Sequence, residues 1–279
     1  MPELPEVQTV VNDLICHGIT RKRIAGFRVA WRRTVNGHSD RYLRTRLLHR
    51  GIRTVSRRGK YIVFTLDDDQ HALLHLRMSG RLHMHKQRDP WCRHEHFALR
   101  FSDGTELRLH DTRKFARFYI GPETAGRLDA LGPEPLDPAF RLKDLKEMLV
   151  SRDRMLKPLL LDQSVLAGLG NIYTDEILFA ARLHPQSSSR RISDPEFRHL
   201  FQAIRRILRQ AVRNCGTSLG IGANNFRSLS REPGRHRLAL KVYGRAGQPC
   251  PRCRATLQRL IVAQRSTHVC PGCQTKRGG

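Results

Sequence analysis

The spacing of apolar positions changes twice along the chain. In residues 2–17, Val7, Val10, Val11, Leu14 and Ile15 fall on one stripe at helical spacing. Pro5 suits the first turn of such a helix and Gly18 its end. From residue 19 to about 130 the pattern breaks into short β-like runs, among them Tyr61–Leu66, 71–76, 96–101 and 106–110. Clusters of Asp and Gly at 67–69 and 103–104 separate them. This predicts an antiparallel sandwich or barrel behind an N-terminal helix. Residues 131–140, LGPEPLDPAF, carry three prolines and a glycine and read as a hinge. A helical period follows over Leu142–Val150, 155–162, 171–183 and 195–215. Residues 216–236 are polar, Gly-rich and aperiodic, and are expected to form a mobile surface loop.

Charge sharpens this outline. The 279 residues hold 51 Lys+Arg against 25 Asp+Glu, a formal net charge of +26. Self-repulsion of that size calls for a polyanionic partner, most simply nucleic acid, whose condensed counterions are released on contact. The excess leans to the C-terminal end: residues 186–279 carry 19 basic side chains and only Asp194, Glu196 and Glu232 as acids. At 39% hydrophobic and 27% charged the composition is globular, which excludes a disordered chain. The longest apolar runs fall far short of the roughly 20 residues that span a bilayer. The N-terminus has acids where a secretory signal needs positive charge. A cytoplasmic protein held near the nucleoid by DNA is expected.

Of seven cysteines, Cys16, Cys92 and Cys215 stand alone and read as inert thiols. The other four are spaced Cys250-x2-Cys253-x16-Cys270-x2-Cys273. Two such knuckles close a tetrahedral thiolate site, which predicts one structural zinc ion in residues 238–279. That module is expected to be a β-hairpin with little core beyond its metal. Four thiolates leave no open position for a catalytic water.

At the other end, removal of Met1 would leave Pro2 as a secondary amine on the first turn of a helix. The positive end of the helix dipole disfavours its protonation and attracts phosphates and developing oxyanions. Glu3 and Glu6 lie on the same turn at i, i+3. On its own, Pro-Glu is ordinary helix-start chemistry. A nucleophilic amine, neighbouring carboxyls and a zinc-stapled basic module together form a coherent set.

That set resembles the Fpg/Nei family of DNA-repair enzymes, in its formamidopyrimidine-DNA glycosylase branch. The resemblance runs end to end: MPELPEVQTV, RRGKYIVF (57–64), HLRMSG (75–80), HDTRKF (110–115), LGPEPL (131–136), LDQSVLAGLGNIYTDEILFAARLHP (161–185), KVYGR (241–245) and AQRST (263–267). It implies an α+β multidomain fold: an N-terminal helix plus antiparallel β-sandwich (1–130, catalytic), a hinge (131–140), a helix-two-turn-helix domain (141–237, including the 216–236 loop) and a zinc-finger hairpin (238–279). It also implies a monomeric bifunctional glycosylase/AP lyase. Such an enzyme excises 8-oxoguanine and formamidopyrimidines from double-stranded DNA and cleaves the strand by β,δ-elimination.

By the same resemblance Pro2 would attack C1′ of the damaged nucleotide, with Glu3 as acid/base and Glu6 as a supporting carboxylate. Lys60 would assist base loss and β-elimination, and Arg265 would grip phosphate and bear on δ-elimination. Met78, Arg113 and Phe115 would fill the gap left by the flipped nucleotide, although Met78 and Phe115 could equally be core residues. His94, Arg152, Lys157 and Asn171 would contact the DNA backbone, and Asn171 could also cap its helix. Three departures from the pattern stand out: Gln8 where Glu is frequent, Lys114 beside the wedge in place of Arg, and the 216–236 loop. Two other readings remain: a glycosylase preferring oxidised pyrimidines, and a zinc-ribbon nucleic-acid-binding protein without catalysis.

Overall fold

The computed structural model describes residues 1–219, 226–229 and 232–276. They group into two compact units, Met1–Ala130 with Asn214–Arg235, and Leu131–Arg213 with His236–Gly279.

The first unit opens with helix α1 (Leu4–Cys16), which buries Leu4, Val7, Val10, Val11 and Leu14. Ile15, expected on that stripe, is exposed. Gly18 takes the left-handed conformation after the helix, as its position suggested. Two four-stranded antiparallel sheets follow. One is built in the order β1 (Ile24–Val29), β6 (Glu95–Phe101), β7 (Thr105–His110), β5 (Arg81–Lys86). The other runs β2 (Ile52–Arg58), β3 (Tyr61–Leu66), β4 (His71–His75), β8 (Arg117–Ile120). Phe64, Phe97, Phe101, Leu107 and Phe118 meet in the core with the buried face of α1. Two short helices, α2 (Asp40–Leu47) and α3 (Glu123–Asp129), complete the unit.

The segment after the helical region returns to this unit. Thr217 pairs with Arg235 and Arg227 with Pro233, and Leu229 joins the core beside α1. Of the segment expected to be a mobile loop, Gly216, Thr217, Ser218, Ser228, Leu229 and Gly234 are buried, Leu219, Glu232, Pro233 and Arg235 are exposed, and residues up to Arg235 group with residues 1–130. Residues 220–225, 230 and 231 lie outside the described residues.

The second unit contains α4 (Leu142–Val150), α5 (Leu156–Leu161), α6 (Asn171–Ala180) and α7 (Asp194–Arg213). It ends in the hairpin β9 (Gln258–Val262) and β10 (Arg265–Val269). Buried Phe197, Leu200, Ile204, Leu208 and Ala211 repeat along α7 at helical spacing. The hairpin has more core than expected, since Val242 and Leu257 pack with Phe179 of α6 against Cys250 and Cys270. No described helix is long and apolar enough to cross a membrane.

Candidate active site and zinc centre

The start of α1 is a reciprocal carboxylate box. The Glu3 backbone N–H donates to Glu6 Oε2 at 2.8 Å, and the Glu3 side chain accepts from the Glu6 N–H. Both side chains are buried, as is Pro2, while Met1 is exposed. Thr217 N–H reaches Glu6 Oε1 at 2.7 Å, so the returning segment holds the second oxygen. Gly216 makes this approach possible: its φ is +75°, and a Cβ there would lie 2.7 Å from Glu6 Oε1.

Lys60 sits in the tight turn between β2 and β3 and is buried. Arg57 ties this turn to α1, donating from Nε to Gln8 Oε1 at 3.1 Å and from a terminal nitrogen to Gly59 O at 2.9 Å. Gln8 thus supplies the acceptor that a glutamate would, which explains why that departure is tolerated. Beside Lys60 stands His75, a buried side chain that sequence reasoning did not single out. Burial first, then the charges of Arg77 and Lys60, push its pKa down to about 3. Its Nδ1 accepts the Arg77 N–H at 3.0 Å, so the ring is neutral with its proton on Nε2.

A second cluster gathers the expected wedge. Met78 is 45% and Phe115 43% exposed, which decides against the core alternative for both. Arg113 lies over the Phe115 ring at 4.8 Å. The Met78 turn is closed by Gly80 N–H on Leu76 O at 3.0 Å, and a Cβ at Gly80 would strike that oxygen at 2.4 Å. Asp111 joins the two loops: its buried carboxylate accepts from the Ser79 hydroxyl, from Arg113 N–H at 3.1 Å and from Ala116 N–H at 2.7 Å. Its own N–H donates to His94 O at 2.8 Å, placing His94 on the same scaffold. Lys114 Nζ rests 4.2 Å over the Trp31 ring. Asp111 was legible only as part of the HDTRKF motif.

In the second unit, Ser266 O accepts from Asn171 Nδ2 at 2.9 Å and from Lys157 Nζ at 2.9 Å. Arg265, one residue earlier, begins β10 and is exposed, beyond a turn whose residues Ala263 and Gln264 both have positive φ. Asn171 is the first residue of α6; Gly170, not Asn171, is its N-cap. Its Oδ1 is buried with no hydrogen-bond partner among the described residues. Lys157 has no exposed surface and pairs with Asp175 at 2.6 Å, which ties a helix to the hairpin. Asp175 also receives the His268 N–H at 2.8 Å, and Glu176 accepts backbone N–H groups of Lys241, Val242 and Tyr243. These two acids anchor the hairpin, and no local pattern announces them. Arg152 is exposed and donates to Met148 O at 2.9 Å.

The sulfur atoms of Cys250, Cys253, Cys270 and Cys273 lie within 4.8 Å of one another. Two of the separations are 3.9 Å (Cys250–Cys273) and 3.4 Å (Cys253–Cys270). A tetrahedral zinc with Zn–S near 2.3 Å asks for roughly 3.8 Å between sulfurs, so the donor set fits one structural zinc. Arg252 N–H donates to Cys250 Sγ at 3.4 Å, and Gln274 bridges Cys270 N–H to Leu183 O.

Comparison with known proteins places this architecture. Residues 1–118 match the formamidopyrimidine-DNA glycosylase N-terminal domain, residues 131–221 its H2TH domain, and residues 247–276 the zinc finger found in FPG and IleRS. The chain belongs to the formamidopyrimidine-DNA glycosylase (Fpg) family. It is 39% identical over 276 residues to the formamidopyrimidine-DNA glycosylase of Protochlamydia amoebophila, covering 99% of this chain and 100% of that one. It is 41% identical to that of Roseiflexus sp., covering 98% and 100%. A mutant Lactococcus lactis FPG bound to Fapy-dG-containing DNA superposes with a TM-score of 0.90 at 34% identity, over 99% of this chain and 100% of that one. A MutM bound to DNA containing carbocyclic 8-oxo-G gives 0.88 at 34%, with the same coverage. The fold is the Fpg fold: a β-sandwich, a helical H2TH domain and a zinc-finger hairpin, with the four cysteines in the position of the Fpg finger.

Proposed function

We propose that the chain is a bifunctional formamidopyrimidine-DNA glycosylase/AP lyase that removes oxidised purines from double-stranded DNA. The observation that carries this reading is the buried Glu3–Glu6 box beneath Pro2, held closed by Thr217. Once Met1 is removed, the Pro2 nitrogen adds to C1′ and the bond from C1′ to the damaged base breaks, the electron pair leaving with the base. The amine then loses its proton and the C1′–O4′ bond opens, O4′ taking a proton from Glu3, to leave an iminium, which keeps its positive charge because the amine is secondary. That charge stabilises the electrons released when a proton leaves C2′ and the C3′–O bond breaks, and the second elimination breaks the C5′–O bond. Glu3 serves as acid/base at the sugar, and Glu6 fixes the helix start against which the amine is presented. Lys60 acts on the departing base and on proton transfer, and Arg265 on the phosphate released in δ-elimination.

Excision requires the nucleotide to leave the stack, at a cost of about a few kcal/mol. Met78, Arg113 and Phe115 are suited to fill the gap, Arg113 by facing the orphaned base. His94, Arg152 and Asn171 take the backbone, Asn171 through its Nδ2 group, which also donates to the Ser266 carbonyl, with Arg265 one residue away. Zinc supplies folding energy to the finger. Cys250, Cys253, Cys270 and Cys273 would hold it, and four thiolates would leave no open position for a catalytic water. The bacterial sources of its relatives support a cytoplasmic place for it.

The test is borohydride reduction with an 8-oxoguanine duplex. The protein with Met1 removed should give a covalent protein–DNA adduct, and Pro2→Gly should lose it by at least 100-fold. An adduct of wild-type yield from Pro2→Gly would remove the proline from the nucleophile's role.

A further inference from the structure

Helix α7 carries more charge than its place in the fold requires. Its apolar face is buried, and its only acids, Asp194 and Glu196, lie in the first turn. Beyond them Arg198, Arg206, Arg209 and Arg213 are all exposed, and none forms an ion pair with a described residue. From 198 to 213 they extend over roughly 22 Å at the helical rise. Every cation in this stretch is arginine, whose planar fork matches phosphate oxygens better than an ammonium does.

The surface beside the helix is concave. Three adjoining hollows of about 440, 510 and 350 Å³ share Arg206 as a lining residue. Arg182 and Arg252 add to the same wall. The one carboxylate in it, Glu176, is already committed to the backbone N–H groups of residues 241–243. Aromatic rings alternate with the guanidinium groups: Arg205 lies 5.4 Å over Phe201, and Arg252 4.6 Å over Phe179. The rings hold these guanidinium groups along the groove, and a groove lined by arginines suits a phosphodiester backbone. Phe179 and Ala180 put these hollows at the C-terminal end of α6, whereas Asn171 and its Ser266 partner are at the N-terminal end, roughly 15 Å away.

We propose that the outer face of α7 with Arg182 and Arg252 is a second nucleic-acid track, which binds a phosphodiester backbone other than the one engaged at the lesion. It rests on the proposed function only in taking DNA as the polyanion. The track would hold a neighbouring duplex segment while the site beside Asn171 and Arg265 works on the first.

The experiment uses the full zinc-loaded chain and undamaged 30-base-pair duplex. Arg198, Arg206, Arg209 and Arg213 are changed together to Gln, and in a second variant to Lys. Wild type should take up two duplexes when DNA is in excess, and the Gln variant one. The slope of log Kobs against log salt should become shallower by about 3.6 for four lost phosphate contacts. The Lys variant should restore most of that slope, which separates lost charge from lost folding. Excision at saturating concentrations of a short lesion duplex should stay within twofold of wild type. An unchanged slope and stoichiometry would overturn the track. So would displacement of polyglutamate, but not of DNA, by the Gln changes, which would mark the face as a site for acidic protein. If wild type gave no borohydride adduct, the catalytic reading would fail while the undamaged-duplex readout still judged this one.

Discussion

Single side chains decide how the lesion-facing loops are held. Asp111 gives one buried carboxylate to donors from two loops, bringing Ser79, Arg113 and Ala116 into one cluster. Buried hydrogen bonds to a charged acceptor stabilise by about 1.5–3 kcal/mol each, and losing the acceptor strands its donors. Asp111→Ala should therefore cost about 3 kcal/mol in chemical denaturation. Excision of 8-oxoguanine should fall at least tenfold while cleavage of a ready-made abasic site falls less, because only the former needs the wedge. Equal losses on both substrates would mean that the loops are not coupled to base extrusion.

Histidine burial sets the acid limit. His75 is held down to about 3 and His236 to about 4, in both cases first by desolvation. Below an unfolded-state value near 6.5 the unfolded chain takes up protons that the native state refuses. The stabilising contribution is thus complete above pH 6.5 and is lost as pH falls from 6.5 towards 3–4. Melting temperature should decline over that window, and His75→Gln should flatten the decline. A His75→Gln profile parallel to wild type would contradict this assignment.

At the scale of elements, the junction of α1 with the returning segment is a close fit. Gly216→Ala forces a left-handed residue to carry a Cβ 2.7 Å from Glu6 Oε1. It should destabilise the protein by about 1–3 kcal/mol and lower the yield of borohydride adduct several-fold through displacement of the Glu6 carboxylate. Wild-type adduct yield in a destabilised Gly216→Ala protein would separate this junction from catalysis.

Elements whose buried face is continuous were readable from the chain. Strand β3 and helix α4 fall at their predicted limits, since Tyr61–Leu66 is nearly all apolar and Leu142–Val150 has a regular helical stripe. Strand β2 escaped notice because only Ile52 and Val55 are buried among its polar positions. Helix α2 buries just Leu43 and Leu47. Within the site, the carboxylate box was visible as an i, i+3 pair and the zinc ligands as spacing. The setting of Lys157 was not legible because its partners, Asp175 and Ser266, lie 18 and 109 residues away, and a long-range ion pair leaves no local trace. Thr217 closing on Glu6 across 211 residues was invisible for the same reason.

For the whole molecule, the charge of +26 is the governing quantity. With about six phosphate contacts at the lesion, log K for a short lesion duplex should fall with log salt at a slope of roughly −5. A flat response would refute a backbone-dominated complex. The arginines of α7, with Arg182 and Arg252, are part of the remaining charge.

The chain crosses between its two compact units three times, because Asn214–Arg235 returns to the unit begun by Met1–Ala130. During synthesis, α1 and both sheets leave the ribosome long before Thr217 exists. Glu6 Oε1 must then wait for its amide partner until the entire helical segment has been translated. A fragment ending at residue 130 could form the sandwich, but it would hold an incomplete carboxylate box. The nascent chain is thus a sandwich with an open carboxylate box, and completion of that box is timed to the last quarter of translation.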